Sequence, residues 1–308
     1  MRVRFFLPLS LILLSLSVAA QSGIVEAVRI ALAQGNPTAA QSMLNSYRSQ
    51  LGTTPEYLDA YSWMAREALS RGDYDQATLE AGEVKTQIVQ TLKTRPLDSD
   101  PHLGSALGAA YEVQAQALAA RGHHTQAVAL LRSALLTYGK TSIRSRLQKN
   151  LNLLSFEGRL APALHEEQYL GSKPPSLEQL RGSPVLLFFW AHWCSDCKAE
   201  APIITQLRSE FASKGLKVIG PTQYYGYTAQ IEHASPGDEL QYIDAVRHRF
   251  YAGLLDMPVP VSKYNFDTYG ASTTPTIVLI NRSGRIAMYH PGALPYSELR
   301  AAIEKVVQ

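Results

Sequence analysis

Cysteine is nearly absent from this chain: 308 residues contain two, Cys194 and Cys197. A secreted protein stapled by disulfides scatters its cysteines between elements. A bridge across two intervening residues adds little chain-entropy stabilisation. The pair is therefore better explained by reactivity than by stapling. A structural zinc site, which takes four protein ligands, lacks a second cysteine pair. Long basic blocks are missing, so nothing argues for nucleic acid. Beyond the first 20 residues no segment is long and apolar enough to span a bilayer. The signature of disorder is missing as well: 46% apolar and 18% charged residues suit a buried core. The length suggests about two domains.

The first 20 residues form a separate object. Arg2 and Arg4 precede an apolar run over 5–18, and Val18-Ala19-Ala20 supplies small residues before Gln21. This pattern reads as a cleaved secretory signal peptide. The alternative is an uncleaved anchor, for which the run is short against a span of about 20 residues. No cysteine lies near the cleavage site, which argues against a lipoprotein. Without residues 1–20 the balance is 27 Lys and Arg against 26 Asp and Glu. The expected location is the periplasm or the exterior, with no stable membrane span after cleavage.

Residues 21–158 read as an all-α domain, rich in Ala, Leu and Gln and punctuated by Pro37, Pro55, Pro96 and Pro101. Two stretches echo each other 50 residues apart: Tyr61, Ala65, Gly72, Ala77 and Ala81, then Tyr111, Ala115, Gly122, Ala127 and Leu131. Each predicts a helix, an Arg-Gly turn and a second helix. The glycine tolerates a left-handed backbone, and the alanines let paired helices approach. The pattern resembles tetratricopeptide repeats, although the spacing exceeds their period of about 34 residues. A generic helical bundle is the alternative. Such a surface is expected to bind a protein partner or to pack on the next domain. His123-His124 falls in a turn and reads as solvated.

Residues 159–308 change texture. A loop over 171–175 leads to an expected short helix at 176–180 and a buried strand over 185–191. A helix over 198–214 and a strand over 216–220 follow. The remainder reads as a helix over 239–255, a short strand at 259–261, and strands 276–280 and 285–289 joined by a turn at Asn281-Arg282-Ser283-Gly284. A closing helix over 297–307 completes it. Strand–helix alternation with a terminal hairpin predicts a mixed sheet with helices on both faces.

The run Phe188-Phe189-Trp190-Ala191-His192-Trp193-Cys194-Ser195-Asp196-Cys197-Lys198-Ala199-Glu200-Ala201-Pro202, together with Gly270, Thr274-Pro275-Thr276 and Ser283-Gly284, resembles the thioredoxin superfamily. More closely, it is similar to the extracytoplasmic TlpA/ResA-like branch. The resemblance implies an α/β thioredoxin-like fold, a mixed central sheet flanked by helices, behind the all-α, repeat-like domain. It implies that Cys194 is the exposed nucleophile and Cys197 the resolving cysteine. A thiolate at a helix N-terminus is favoured by free N–H groups and the helix dipole. Pro275 matches a proline whose peptide bond is cis in the family, with Thr274 offering backbone hydrogen bonds to an extended substrate. The alternative is a plain strand-start proline. Trp193 matches a residue that shields the thiols, and Trp190 reads as core. Glu200, one helical turn past Cys197, matches a proton-transfer acid; a solvated helix face is the alternative.

Ser195-Asp196 departs from the family, where proline is frequent at the second position. A carboxylate between the sulfurs opposes thiolate formation at Cys194 and pushes the pair toward a stronger reductant. His192 reads as a surface histidine that would act the other way if protonated. Tyr224-Tyr225-Gly226-Tyr227 reads as a loop over the sheet edge, or else as an aromatic partner contact. The function expected is an exported thiol–disulfide oxidoreductase, reducing envelope proteins and recharged by an upstream thiol donor. It has no metal and no cofactor beyond the Cys194–Cys197 disulfide. Rival readings are a non-catalytic adaptor, a copper-handling protein, and a thiol peroxidase. For the last, Ala191 stands where peroxiredoxins carry threonine.

Overall fold

The structure is a computed structural model that describes residues 23–166 and 168–308. The expected signal peptide lies outside the described residues. Seven helices come first: α1 (Ile24–Ala33), α2 (Pro37–Leu51), α3 (Pro55–Ser70), α4 (Tyr74–Thr91), α5 (Pro101–Ala120), α6 (His124–Tyr138) and α7 (Arg144–Ser155). Proline opens α2, α3 and α5, and the residue before each accepts a capping hydrogen bond through its side chain: Asn36 from Ala39, Thr54 from Tyr57 and Asp100 from His102.

The turns of both expected helix pairs have one construction. Gly72 donates to the Leu69 carbonyl and Asp73 to that of Ala68; Gly122 donates to Ala119 and His123 to Leu118. Both glycines have positive φ, so each helix ends in the double hydrogen-bonded cap that glycine permits. The same closure recurs at Gly35, which makes α1–α2 a third hairpin that sequence reading did not pick out. The alanines expected at the crossings, Ala65, Ala77, Ala81, Ala115 and Ala127, are all buried, as is Leu131. Helices α1, α3, α5 and α7 stand side by side as one layer, with α2, α4 and α6 behind it.

The sheet follows. Strands β2 (Val185–Phe189), β3 (Lys217–Ile219), β5 (Thr276–Ile280) and β6 (Ile286–Pro291) lie in the order β3-β2-β5-β6. β2 runs parallel to β3 and antiparallel to β5, and β5 and β6 form the expected hairpin. In its turn the Asn281 side chain accepts from the backbone N–H groups of Ser283 and Arg285. A small antiparallel pair, β1 (Tyr169–Leu170) with β4 (Val259–Pro260), stands apart. Helices α8 (Ser195–Glu210), α9 (Pro236–Phe250), α10 (Lys263–Tyr269) and α11 (Tyr296–Val307) cover the sheet. Leu186 and Phe188 pack with residues of α8, α9 and α11, whereas Val185, Leu187 and Phe189 pack with Phe266 and Tyr269 of α10. β2 is apolar at every position because both faces are covered.

Two differences from expectation are local. Residues 176–180 form a turn rather than a helix: Ser176 and Gln179 cap each other as at a helix start, but the segment stops at Gly182, too soon for a helix to propagate. The helix expected over 239–255 begins earlier, at Pro236 with Ser235 as its cap, and ends at Phe250 before a short 3-10 turn.

The helical and sheet parts are packed together through α7. Asn152 donates to the Tyr269 carbonyl at 2.8 Å, and Ser145 to the Asp267 carboxylate at 2.5 Å. Phe156 meets the rings of Tyr269 and Tyr289 edge-on, with centroids 5.7 and 5.5 Å away. Gly270 has φ of 63°, and a Cβ there would run into the backbone of Gln148 and Lys149. Glycine at this position lets α7 lie directly on the segment that leads to Thr274-Pro275.

Candidate active site at the Cys194–Cys197 turn

β2 ends at Phe189, and the chain turns through Trp190–Trp193 into α8. Trp190 is core, as expected: its indole N–H donates to the Gly220 carbonyl at 2.9 Å and its ring lies 4.6 Å from that of Tyr251. This anchors the turn from below. Cys194 is the N-cap of α8, and Cys197 occupies its first turn. The two sulfurs are bonded. The Cys197 N–H donates to the Cys194 sulfur at 3.0 Å. An N–H aimed at sulfur from a helix N-terminus stabilises negative charge on that sulfur once the bond is opened. Cys197 is sealed from solvent, and Cys194 shows only a thin edge.

Trp193 is 48% exposed and lies edge-on to Tyr225, with ring centroids 5.5 Å apart. Ser195 and Asp196 are both exposed at the helix start. The peptide bond between Thr274 and Pro275 is cis. Pairing of Phe189 with Thr276 places Pro275 across from Trp190, at the sheet end where the cysteines sit. The Thr274 hydroxyl is buried and has no hydrogen-bond partner among the described residues.

Glu200 is 2% exposed, so it does not lie on a solvated helix face. One carboxylate oxygen accepts from the Leu294 N–H at 3.1 Å; the other is buried and has no hydrogen-bond partner among the described residues. Burial pushes its pKa up to about 7; the Leu294 hydrogen bond acts the other way, and the Asp196 charge adds to the rise. Tyr251, whose buried hydroxyl also lacks a partner among the described residues, feels the Glu200 charge. Nothing in the spacing of Tyr251 tied it to the site, because it enters from a separate segment after α9.

His192 corrects the surface reading. It is 1% exposed, with its Nε2 3.2 Å from the Glu239 carboxylate. Glu239 also accepts from the N–H groups of Tyr225 at 2.6 Å and Gly226 at 2.8 Å. The imidazole is walled by Tyr225, Tyr227 and Tyr242 at 5.2 to 5.4 Å. Burial lowers its pKa, against the pull of Glu239. The tyrosine loop is thus tied to the active-site turn by one carboxylate. Glu239 was not singled out from sequence; a lone acid in a helical run carries no pattern.

A family model described as the AhpC/TSA family matches residues 158–223. A thiol:disulfide interchange protein DsbE of Xylella fastidiosa is 31% identical over 137 residues, covering 43% of this chain and 57% of that protein. The thiol-disulfide oxidoreductase ResA of Bacillus thuringiensis is 27% identical over 139 residues, covering 44% of this chain and 71% of its own length. The solved thioredoxin domain of a thiol-disulfide oxidoreductase from Bacteroides vulgatus is 21% identical, covers 49% of this chain and 98% of its own, and gives a TM-score of 0.37. The chain thus spans little more than half the length of its DsbE relative. The sheet-bearing part of the chain is thus similar to thiol-disulfide oxidoreductases of the DsbE and ResA kind, in keeping with its resemblance to the TlpA/ResA-like branch of the thioredoxin superfamily.

Proposed function

We propose that the protein is an exported thiol–disulfide oxidoreductase that reduces disulfides of envelope proteins. The observation that carries this reading is Cys194 as the cap of α8, with the Cys197 N–H on its sulfur and a buried carboxyl, Glu200, on the same helix.

The reduced protein carries two thiols. The Cys194 thiolate attacks one sulfur of the substrate disulfide, forming a mixed disulfide, and the displaced sulfur leaves and takes a proton from water. Cys197 is buried and needs a base. Glu200, with a pKa about 7, takes its proton at little energetic cost near neutral pH. The Cys197 thiolate then attacks the Cys194 sulfur, closing the protein disulfide and releasing the second substrate thiol. Two electrons pass from the dithiol to the substrate, and an upstream thiol donor must return them. The cycle uses no cofactor beyond the disulfide itself. Trp193 and the Thr274–Pro275 edge border the place where the substrate chain would lie.

An insulin-reduction assay tests this reading. The native protein with a thiol donor is expected to speed insulin precipitation, and the Cys194→Ser protein to sit at the donor's background. Equal activity of the two would support the adaptor reading instead. The AhpC/TSA match raises peroxide reduction as a second chemistry. Ala191 stands where the peroxidase threonine would be, so peroxide consumption is expected to be at background.

Asp196 bears on direction. It lies in the first turn of α8, where a negative charge next to the sulfurs disfavours the Cys194 thiolate. Asp196→Asn is expected to lower the Cys194 pKa in the reduced protein, followed by thiolate ultraviolet absorbance. An unchanged pKa removes Asp196 from the account.

A further inference from the structure

Glu239 takes no part in the redox cycle, yet it touches the turn that carries the cysteines. It is 1% exposed and comes from the first turn of α9. Its Oε1 accepts from the Tyr225 N–H at 2.6 Å and lies 3.2 Å from His192 Nε2. Its Oε2 accepts from the Gly226 N–H at 2.8 Å. One buried carboxylate thus joins the loop after β3 to a residue two places before Cys194. The root of the same loop is tied to the same turn. The Trp190 N–H donates to the Pro221 carbonyl at 3.1 Å, and the Thr222 hydroxyl to the Trp190 carbonyl at 2.9 Å. Buried hydrogen bonds of this kind fix their partners in one geometry, because leaving any of them unmade is costly.

The sheet explains why these segments meet. β3 runs parallel to β2, so the tyrosine loop and the Cys194 turn leave the sheet at one end. β5 runs antiparallel to β2, so Thr274-Pro275, just before β5, stands at that end too. In the order β3-β2-β5 the cysteine turn is in the middle. The tyrosine loop lies to one side of it and the cis-proline edge to the other.

The loop presents apolar surface beside the cysteines. Tyr225 lies edge-on to Trp193, and Tyr227 lies 5.2 Å from the His192 ring. Trp193, Tyr227 and Ile231 are 48%, 37% and 41% exposed. A hollow of about 410 Å³ opens between Tyr227 and Ile231, with Thr228, Gln230 and Glu232 as its polar members. Any chain whose disulfide reaches Cys194 passes Trp193, the adjoining residue. Aromatic side chains already held in place lose little entropy when such a chain covers them. The exposed carboxylates of Asp196 and Glu232 disfavour an acidic flank. We propose that Glu239 is a positioning residue: it holds the tyrosine loop against the Cys194 turn as a second wall of the substrate site, which takes apolar or aromatic side chains flanking the substrate disulfide. This inference rests on the redox reading.

The test uses the full chain, reduced and freed of reductant, in single turnovers against two peptide disulfides. They differ only in carrying phenylalanine or serine on both sides of the cysteine. The native protein is expected to favour the phenylalanine peptide at least about tenfold in maximal rate over half-saturating concentration, as partial burial of one such ring allows. Glu239→Ala should cut that preference to about twofold or less, by raising the half-saturating concentration of the phenylalanine peptide rather than by lowering its maximal rate. Tyr227→Ala, which leaves the Glu239 hydrogen bonds in place, should do the same. Leu136→Ser, at a position of α6 that is 89% exposed, should keep the native preference. A preference that survives in either Glu239→Ala or Tyr227→Ala overturns the proposal. Survival together with a lower maximal rate on both peptides would make Glu239 a support of the cysteine turn alone. Equal handling of the two peptides by the native protein overturns this inference and leaves the redox reading standing, whereas reduction of neither overturns both.

Discussion

Cys197→Ser is expected to capture substrates that the native protein releases. Cys194 retains its place at the start of α8, and the backbone N–H of residue 197 still reaches its sulfur, since that hydrogen bond comes from the main chain. The first attack therefore proceeds, but no thiolate follows to resolve the mixed disulfide. Multiple turnover should fall by about 10³-fold or more, toward the background of the donor. Protein-linked adducts should rise correspondingly and disappear on adding a reductant. Non-reducing electrophoresis and intact mass measurement read both. Cys194→Ser should give neither turnover nor adducts. Adducts formed by Cys194→Ser and not by Cys197→Ser would reverse the two roles, because the buried sulfur would then be the nucleophile.

Glu200→Gln is expected to separate catalysis from stability. On the catalytic side, loss of the base for Cys197 should slow the resolving step by about 10²-fold near neutral pH. The pH profile should lose the ionisation near pH 7. On the stability side, the folded pKa is raised from 4.5 to about 7, so the folded state favours the protonated carboxyl. Its contribution is fully present below about pH 4.5 and is lost as pH rises through 7. At one pKa unit per about 1.4 kcal/mol, the charged form costs on the order of 3 kcal/mol in the alkaline limit. The Glu200→Gln protein should therefore match the native one near pH 4 and exceed it in stability at pH 9. Urea titrations of the oxidised proteins at both pH values check this. A difference independent of pH would mean that Glu200 does not change charge between those values.

Much of this architecture could be read along the chain because the signals are local. Gly72 and Gly122 end helices by their own backbone freedom, and both helix pairs closed where those residues stand. The unbroken apolar run of β2 forecast a strand covered on both faces. Asn281 to Gly284 carried the turn between β5 and β6 in four residues. The first helix pair carries no such signal, because Gln34-Gly35 lacks the Arg-Gly echo and its spacing to Gly72 is 37 residues rather than 50. Ser176 to Leu180 looked helical by composition, but a five-residue segment has too little length to offset helix nucleation.

By itself the sequence determined the chemistry available: two thiols at one spacing, a carboxyl one turn later, a proline before the fifth strand, and the helix and strand types that carry them. These follow from residue identity and short-range periodicity. The tertiary structure alone decided the environments. The burial that raises Glu200 comes from its surroundings, with Leu294 supplying a hydrogen bond from near α11. His192 is enclosed by a loop and a helix at least 33 residues away. Whether a charge is costly, shared or shifted depends on desolvation and on partners distant in the chain, and a linear pattern records neither.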